Sequence, residues 1–257
     1  MSAAIPHPVQ IETIEDSDTI RMWRHRGRSR RLVVCFSGLG PKGQLPKVEF
    51  AQVASREGLD SAIFVADPQR TWLNTPGFLD TVVKHVTYSA YEMRATEVVA
   101  IGSSMGGFSA MALASCYPLK AAVAFAPQFS VHPAFAPEED RWLDYRAQIQ
   151  RYRVRSLARR LVAQTQFYAF HGDSPEEEMQ CDLFPIRPNL HHFVVPDSDE
   201  TLAYKLRRSG ALAPLVADCF GLATGRVAET MTAMGAEERT VVTGREGTCA
   251  YPPAHMF

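Results

Sequence analysis

Along most of this chain, short and mostly apolar runs alternate with longer stretches of helical period. Residues 32–36, 62–66, 97–101, 121–125, 166–170 and 190–195 are the apolar runs. Runs this short without polar alternation predict strands buried on both faces of a parallel sheet. Helical patterns fall between them: one around Phe50, Val53 and Ala54 that Gly58 closes, then residues 78–93, 108–115, 201–208 and 211–220, the last two separated by Gly210. Strands alternating with helices predict right-handed crossovers and an α/β fold, with helices on both faces of a mostly parallel central sheet. Ahead of this series, residues 9–15 and 20–25 flank Asp16-Ser17-Asp18 and predict an antiparallel hairpin at one sheet edge.

Two stretches depart from the rhythm. Residues 129–165 contain Pro133 and Pro137 and predict a small lid-like excursion from a domain spanning 1–222. Within it Arg151, Arg155 and Arg159 recur every four residues opposite Val154, Leu157 and Leu161. That spacing predicts an amphipathic helix over 151–160 with a basic outer face, solvated or presented to a protein or acidic partner. Arg26 to Arg31 form a second basic stretch, either a solvated loop or an anion-facing patch. Past Gly221 the periodicity weakens, and 223–257 reads as a C-terminal tail.

Composition narrows the class. A hydrophobic content of 46% with 21% charged residues is that of a globular protein with a sizeable core. A formal net charge of −1 offers nucleic acid no general attraction. No apolar run approaches the roughly 18 residues of a membrane span, and Met1 to Pro6 lack the basic start and apolar core of a signal peptide. The cysteines (Cys35, Cys116, Cys181, Cys219 and Cys249) are odd in number and without C-x-x-C spacing. Neither a disulfide framework nor a metal site is expected, and a reducing cytoplasm fits.

Candidate chemistry centres on Gly102-Ser103-Ser104-Met105-Gly106, where an apolar run ends and a helical pattern starts. A G-x-S-x-G turn in this strand–turn–helix setting predicts a nucleophile elbow with Ser104 as nucleophile. The Met105 N–H would then face the oxyanion at the helix N-terminus. Gly38 and Leu39, at the end of the first parallel strand, are the candidate second oxyanion donors, although a glycine there also serves a loop that needs positive φ. Trp72, in the loop 67–74, either lines a pocket or packs over the sheet end. Gln128, which follows the fourth parallel strand at the same edge, is a second candidate pocket residue.

Together with His171-Gly172-Asp173, these segments make the chain resemble the α/β-hydrolase superfamily over roughly residues 9–220. More narrowly, it is similar to a group of small bacterial hydrolase-like proteins with F-S-G-x-G, D-P-x-x-x-W-x-N, G-x-S-M-G-G and A-P-Q segments in succession. Here these are residues 36–40, 67–74, 102–107 and 126–128. The resemblance implies the order Ser, acid, His. Ser104 maps on the nucleophile; Asp173 is the first candidate acid and Glu177 the second, since Pro175 occupies the usual position. The histidine belongs just past the last strand, where this chain has Pro196-Asp197-Ser198-Asp199-Glu200. His191 and His192 open that strand, roughly 15 Å from its end. Glu200 is a weak base unless burial raises it. The candidate base is His171, with His132 and His255 as alternatives. The implied function is a serine esterase, thioesterase or acyltransferase acting on a small acyl ester or acyl-sugar without cofactor. The alternative is a degenerate hydrolase-fold protein that binds a ligand or protein without turnover.

Overall fold

The computed structural model describes residues 9–240. Within them the chain runs β1 (Glu12–Asp16), β2 (Arg21–His25), β3 (Arg31–Phe36), α1 (Ala51–Ala54), β4 (Ser61–Ala66), α2 (Phe78–Glu92), β5 (Glu97–Ser103) and α3 (Met105–Leu113). It continues through β6 (Ala121–Phe125), α4 (Leu143–Arg146), β7 (Gln166–Gly172), α5 (Pro175–Asp182), β8 (Leu190–Val195), α6 (Leu202–Ser209), α7 (Leu212–Gly221), α8 (Thr224–Ala233) and β9 (Glu237–Glu238). These strands make one nine-stranded sheet in the order β1-β2-β4-β3-β5-β6-β7-β8-β9. From β4 to β8 neighbouring strands are parallel. The β1–β2 hairpin pairs antiparallel to β4, and β9 pairs antiparallel to β8.

Successive residues of each buried strand face opposite ways, and the core divides accordingly. Leu32, Val34, Ala100, Ala122 and Ala124 pack beneath α2, α3 and the excursion, while Val33, Cys35, Val99, Ile101, Val123 and Phe125 pack against α6, α7 and α8. Small residues on the first face let α3 lie close to the sheet. A Cβ added at Gly102 would run into the carbonyl of Gly106, and one at Gly106 into that of Phe36. On the other face Phe125 stacks on Phe50 and Phe170, with ring centroids 6.0 and 5.1 Å apart. Among the described residues no helix is long and apolar enough to cross a membrane.

The structure differs from the sequence expectation in three places. The basic helix over 151–160 does not form; the segment runs as bends and a turn. The Asn74 side-chain oxygen accepts the N–H groups of Arg153 and Val154 at 2.6 and 2.8 Å, which takes donors a helix would need. Val154, Leu157 and Leu161 are nonetheless buried, so the apolar stripe marks burial without a helix. The chain past residue 222 is not a loose tail up to residue 240: α8 buries Val227 and Met231 in the second core, and β9 extends the sheet. Residues 241–257, including His255, and Met1 to Pro6 lie outside the described residues. Finally, the pattern around Phe50 makes one helical turn, bracketed by positive φ at Phe50, Arg56 and Glu57.

Candidate functional site

Ser104 sits between β5 and α3 with φ 53° and ψ −124°. A residue with a Cβ pays about 1–3 kcal/mol for such a conformation, so its surroundings must impose it. They do: the Ser104 N–H donates to Phe125 O at 2.8 Å, its carbonyl accepts from Phe108 N at 3.1 Å, and the contacts of Gly102 and Gly106 exclude side chains on either side. Met105 takes the first helical position, where an N–H has no intrahelical acceptor. Gly38, after β3, lies against Ser103, its N–H donating to the Glu49 carboxylate. Leu39 is buried, and its carbonyl accepts from Arg70 Nε at 2.8 Å.

The structure joins Ser104, Gln128 and Trp72 in one hydrogen-bonded line. Trp72 Nε1 donates to Gln128 Oε1 at 2.9 Å, and Gln128 Nε2 donates to Ser104 Oγ at 3.1 Å. The indole can only donate, which fixes the amide orientation and makes the serine oxygen an acceptor. Both partners are buried, and Trp72 packs on Trp142 at 5.6 Å. The loop carrying Trp72 is held by its own motif. Asp67 accepts from Gln69 N, Thr71 N and Thr71 Oγ1, while Asn74 Nδ2 donates to the carbonyls of Thr71, Trp72 and Val154. The sequence pointed to Gln128 as a pocket residue but not to its bond with Ser104, and the part played by Asn74 was missed. Their residue types and the recurring D-P-x-x-x-W-x-N and A-P-Q segments were the available signal.

The remaining expected residues are not joined to Ser104. His171 is fully buried; its Nε2 faces Pro127 O at 2.9 Å and its Nδ1 faces His192 Nε2 at 2.8 Å. A carbonyl can only accept, so Nε2 carries the proton and Nδ1 accepts from His192. Burial drives His171 down to about 4, which keeps it neutral. Asp173 is exposed and accepts from Ser198 N at 3.2 Å; backbone donors from Ser198 and Asp197 hold it below the usual carboxylate range. His132 Nδ1 accepts from Ala134 N, and burial, then Arg155 and Arg146, lower its pKa. Among the described residues, no histidine is hydrogen-bonded to Ser104 Oγ.

Two carboxylates titrate near neutrality. Burial pushes Glu49 up to about 7 against the opposing Gly38 N–H. Glu177, buried with Oε2 unpartnered, is also raised to about 7, by burial first; Arg141, 3.6 Å away, opposes this and Glu200 adds to it. Glu49 and Glu200 line a cavity of about 600 Å3 beside Ser103, together with Phe50, Tyr204 and Arg207. His171, Cys181 and His192 bring ligand atoms within 4.8 Å of one another, the residues best placed to hold a metal ion among those described. Their hydrogen bonds are already complete: His192 Nδ1 faces the Arg239 guanidinium at 3.2 Å.

Residues 64–172 match the family described as "Uncharacterised protein family (UPF0227)". No curated protein matches the chain in sequence. Solved structures share its fold. An esterase of Pyrobaculum calidifontis is 14% identical with a TM-score of 0.57, over 84% of this chain and 86% of that one. An alpha-beta serine hydrolase homologue from Coxiella burnetii is 10% identical with a TM-score of 0.52, over 82% and 99% of the two chains. The capsule O-acetyltransferase of Neisseria meningitidis serogroup A is 13% identical with a TM-score of 0.51, over 77% and 92%. At such identities the likeness is one of architecture. The chain shares the α/β-hydrolase-like fold of these structures.

Proposed function

We propose that the protein is a serine hydrolase or acyltransferase with Ser104 as nucleophile. The observation that carries the reading is the backbone of Ser104: a strained, half-buried residue held at a helix N-terminus. Ser104 Oγ attacks the acyl carbonyl of an ester, thioester or acyl-sugar, and the Met105 N–H, with that of Leu39 opposite because the Gly38 N–H is engaged by Glu49, stabilises the oxyanion. Collapse of the tetrahedral intermediate breaks the bond to the alcohol or thiol, which leaves with the proton, and the acyl-serine is then resolved by water or a second hydroxyl. Gln128 Nε2 eases alkoxide formation by donating to Oγ. His171, whose two nitrogens are engaged elsewhere, is not free to take the proton; the candidate acceptor is Glu49, raised to about 7 and lining the cavity beside Ser103. Likeness to an esterase and to an O-acetyltransferase supports the reaction class and leaves water and a hydroxyl as alternative acceptors. A reducing, cytoplasmic setting suits the free thiols Cys35, Cys116, Cys181 and Cys219.

The second reading, ligand binding without turnover, draws on one observation: Ser104 Oγ meets an amide rather than an imidazole. A fluorophosphonate probe separates the two. Covalent labelling of wild type between about pH 6 and pH 9, absent in Ser104→Ala, is expected for an activated serine. A folded wild-type protein that never labels would remove the enzyme reading and leave the binding one.

A further inference from the structure

The segment that fails to form a helix leaves a group of arginines without counter-charges. Exposure alternates along it: Arg151, Arg153 and Arg155 are exposed, Tyr152 is half-buried and Val154 is buried. Asn74 pins the amides of Arg153 and Val154, and Ser130 Oγ donates to Arg155 O at 2.6 Å, so the backbone under these side chains is fixed at two points. His132 closes the group, its ring 4.6 Å from that of Tyr152. Arg151, Tyr152, Arg153, Arg155 and His132 line a cavity of about 510 Å3.

Several arginines elsewhere in this chain are matched by carboxylates: Arg24 by Glu12 and Glu92, Arg31 by Asp60 and Glu97, Arg141 by Glu139. Arg151, Arg153 and Arg155 have no such ion pair among the described residues. Beneath them Arg146 is buried, its guanidinium held by the carbonyls of Val131 and Glu139. The local field is thus positive and uncompensated, and it reaches His132, on which both Arg155 and Arg146 act. His132 Nδ1 is taken by Ala134 N, which leaves Nε2–H as the ring's donor on a residue that lines the cavity.

We propose that Arg151, Arg153, Arg155 and His132 form a binding site for the phosphate group of a phosphorylated small molecule. Guanidinium forks match phosphate oxygens two at a time, which is why arginine recurs where phosphate is bound. The volume is that of a small-ligand cavity, and the chain's overall charge of −1 gives no broad basic surface for a polymer. The site shares no lining side chain with the Ser104–Gln128–Trp72 line, so failure of either reading leaves the other intact.

Isothermal titration with inorganic pyrophosphate and with adenosine diphosphate, at about 0.15 M ionic strength, tests it. Saturable one-to-one binding is expected. Equal affinities would assign the site to the diphosphate alone, and tighter adenosine diphosphate would place a nucleoside against Tyr152. Arg153→Gln should weaken pyrophosphate about tenfold or more, Arg153→Lys by several-fold because the fork is lost, and Arg28→Gln, in the other basic stretch, not at all. These side chains are exposed, and an unchanged thermal transition verifies each fold; Arg151→Gln and Arg155→Gln repeat the measurement independently. No saturable binding of either probe would overturn the proposal. So would an Arg28→Gln loss as large as that of Arg153→Gln, or a lysine at 153 that binds as wild type.

Discussion

Replacing Glu177 by glutamine should make the protein more stable at alkaline pH and leave it nearly unchanged at acid pH. The carboxyl is buried, 2% exposed, with Oε2 lacking a hydrogen-bond partner. In the fold it titrates at about 7, against an ordinary 4.5. Between those two values the folded protein holds a proton that the unfolded chain has released. Stability therefore falls as pH rises through this window and is level above it. The displacement corresponds to about 3 kcal/mol at full ionisation, with about half of that surviving if water reaches the site. Glutamine keeps the shape and removes the titration. Urea unfolding of both proteins at about pH 5 and about pH 8 reads the difference, and the parallel titration of Glu49 cancels because both proteins contain it. A gain for Glu177→Gln of about 1–3 kcal/mol at the higher pH, relative to the lower, is expected. An equal stability difference at both pH values would refute the argument, and so would a wild type favoured at pH 8.

Trp72→Phe removes the donor that orients Gln128 and should slow fluorophosphonate labelling about tenfold, with the fold retained by circular dichroism. Asn74→Ala strands the amides of Arg153 and Val154 and should cost about 2–3 kcal/mol in urea unfolding, with earlier proteolysis of the 151–165 segment. Gly106→Ala, favourable by helix propensity alone, should destabilise by about 3 kcal/mol because the new methyl meets the Phe36 carbonyl.

The parallel part of the sheet was legible because its strands are mostly apolar, and residues such as Val33 and Val34, buried on opposite faces, leave no solvent-exposed alternative. The elbow was legible for a similar reason: Gly102 and Gly106 stand where the backbone admits nothing larger. What escaped was non-local. The apolar stripe of Val154, Leu157 and Leu161 is real, but the backbone conformation is set by Asn74, 80 residues earlier than Val154. In α8, Val227 and Met231 carry the only full burial, too sparse a signal to stand out in the sequence. Gln128 takes its role from Trp72, 56 residues away. His171 was identified as a strand-end histidine, yet its direction depends on a ring pair with His192 that no local pattern encodes.

Which group takes the Ser104 proton can be decided by pH. Gln128 donates to Oγ and so stabilises an alkoxide, but it has no lone pair on that nitrogen to receive a proton. The receiving group must be basic at working pH. His171, held down to about 4, would already be a free base across the neutral range, so a rate that relied on it would be flat from about pH 5 upward. Glu49, raised to about 7, would instead make the labelling rate climb roughly tenfold per pH unit below 7 and level above it. Glu49→Gln should remove that climb, while His171→Gln in a folded protein should preserve it. A flat wild-type profile would exclude Glu49 as the base, because a carboxyl still protonated at pH 6 cannot accept the serine proton there.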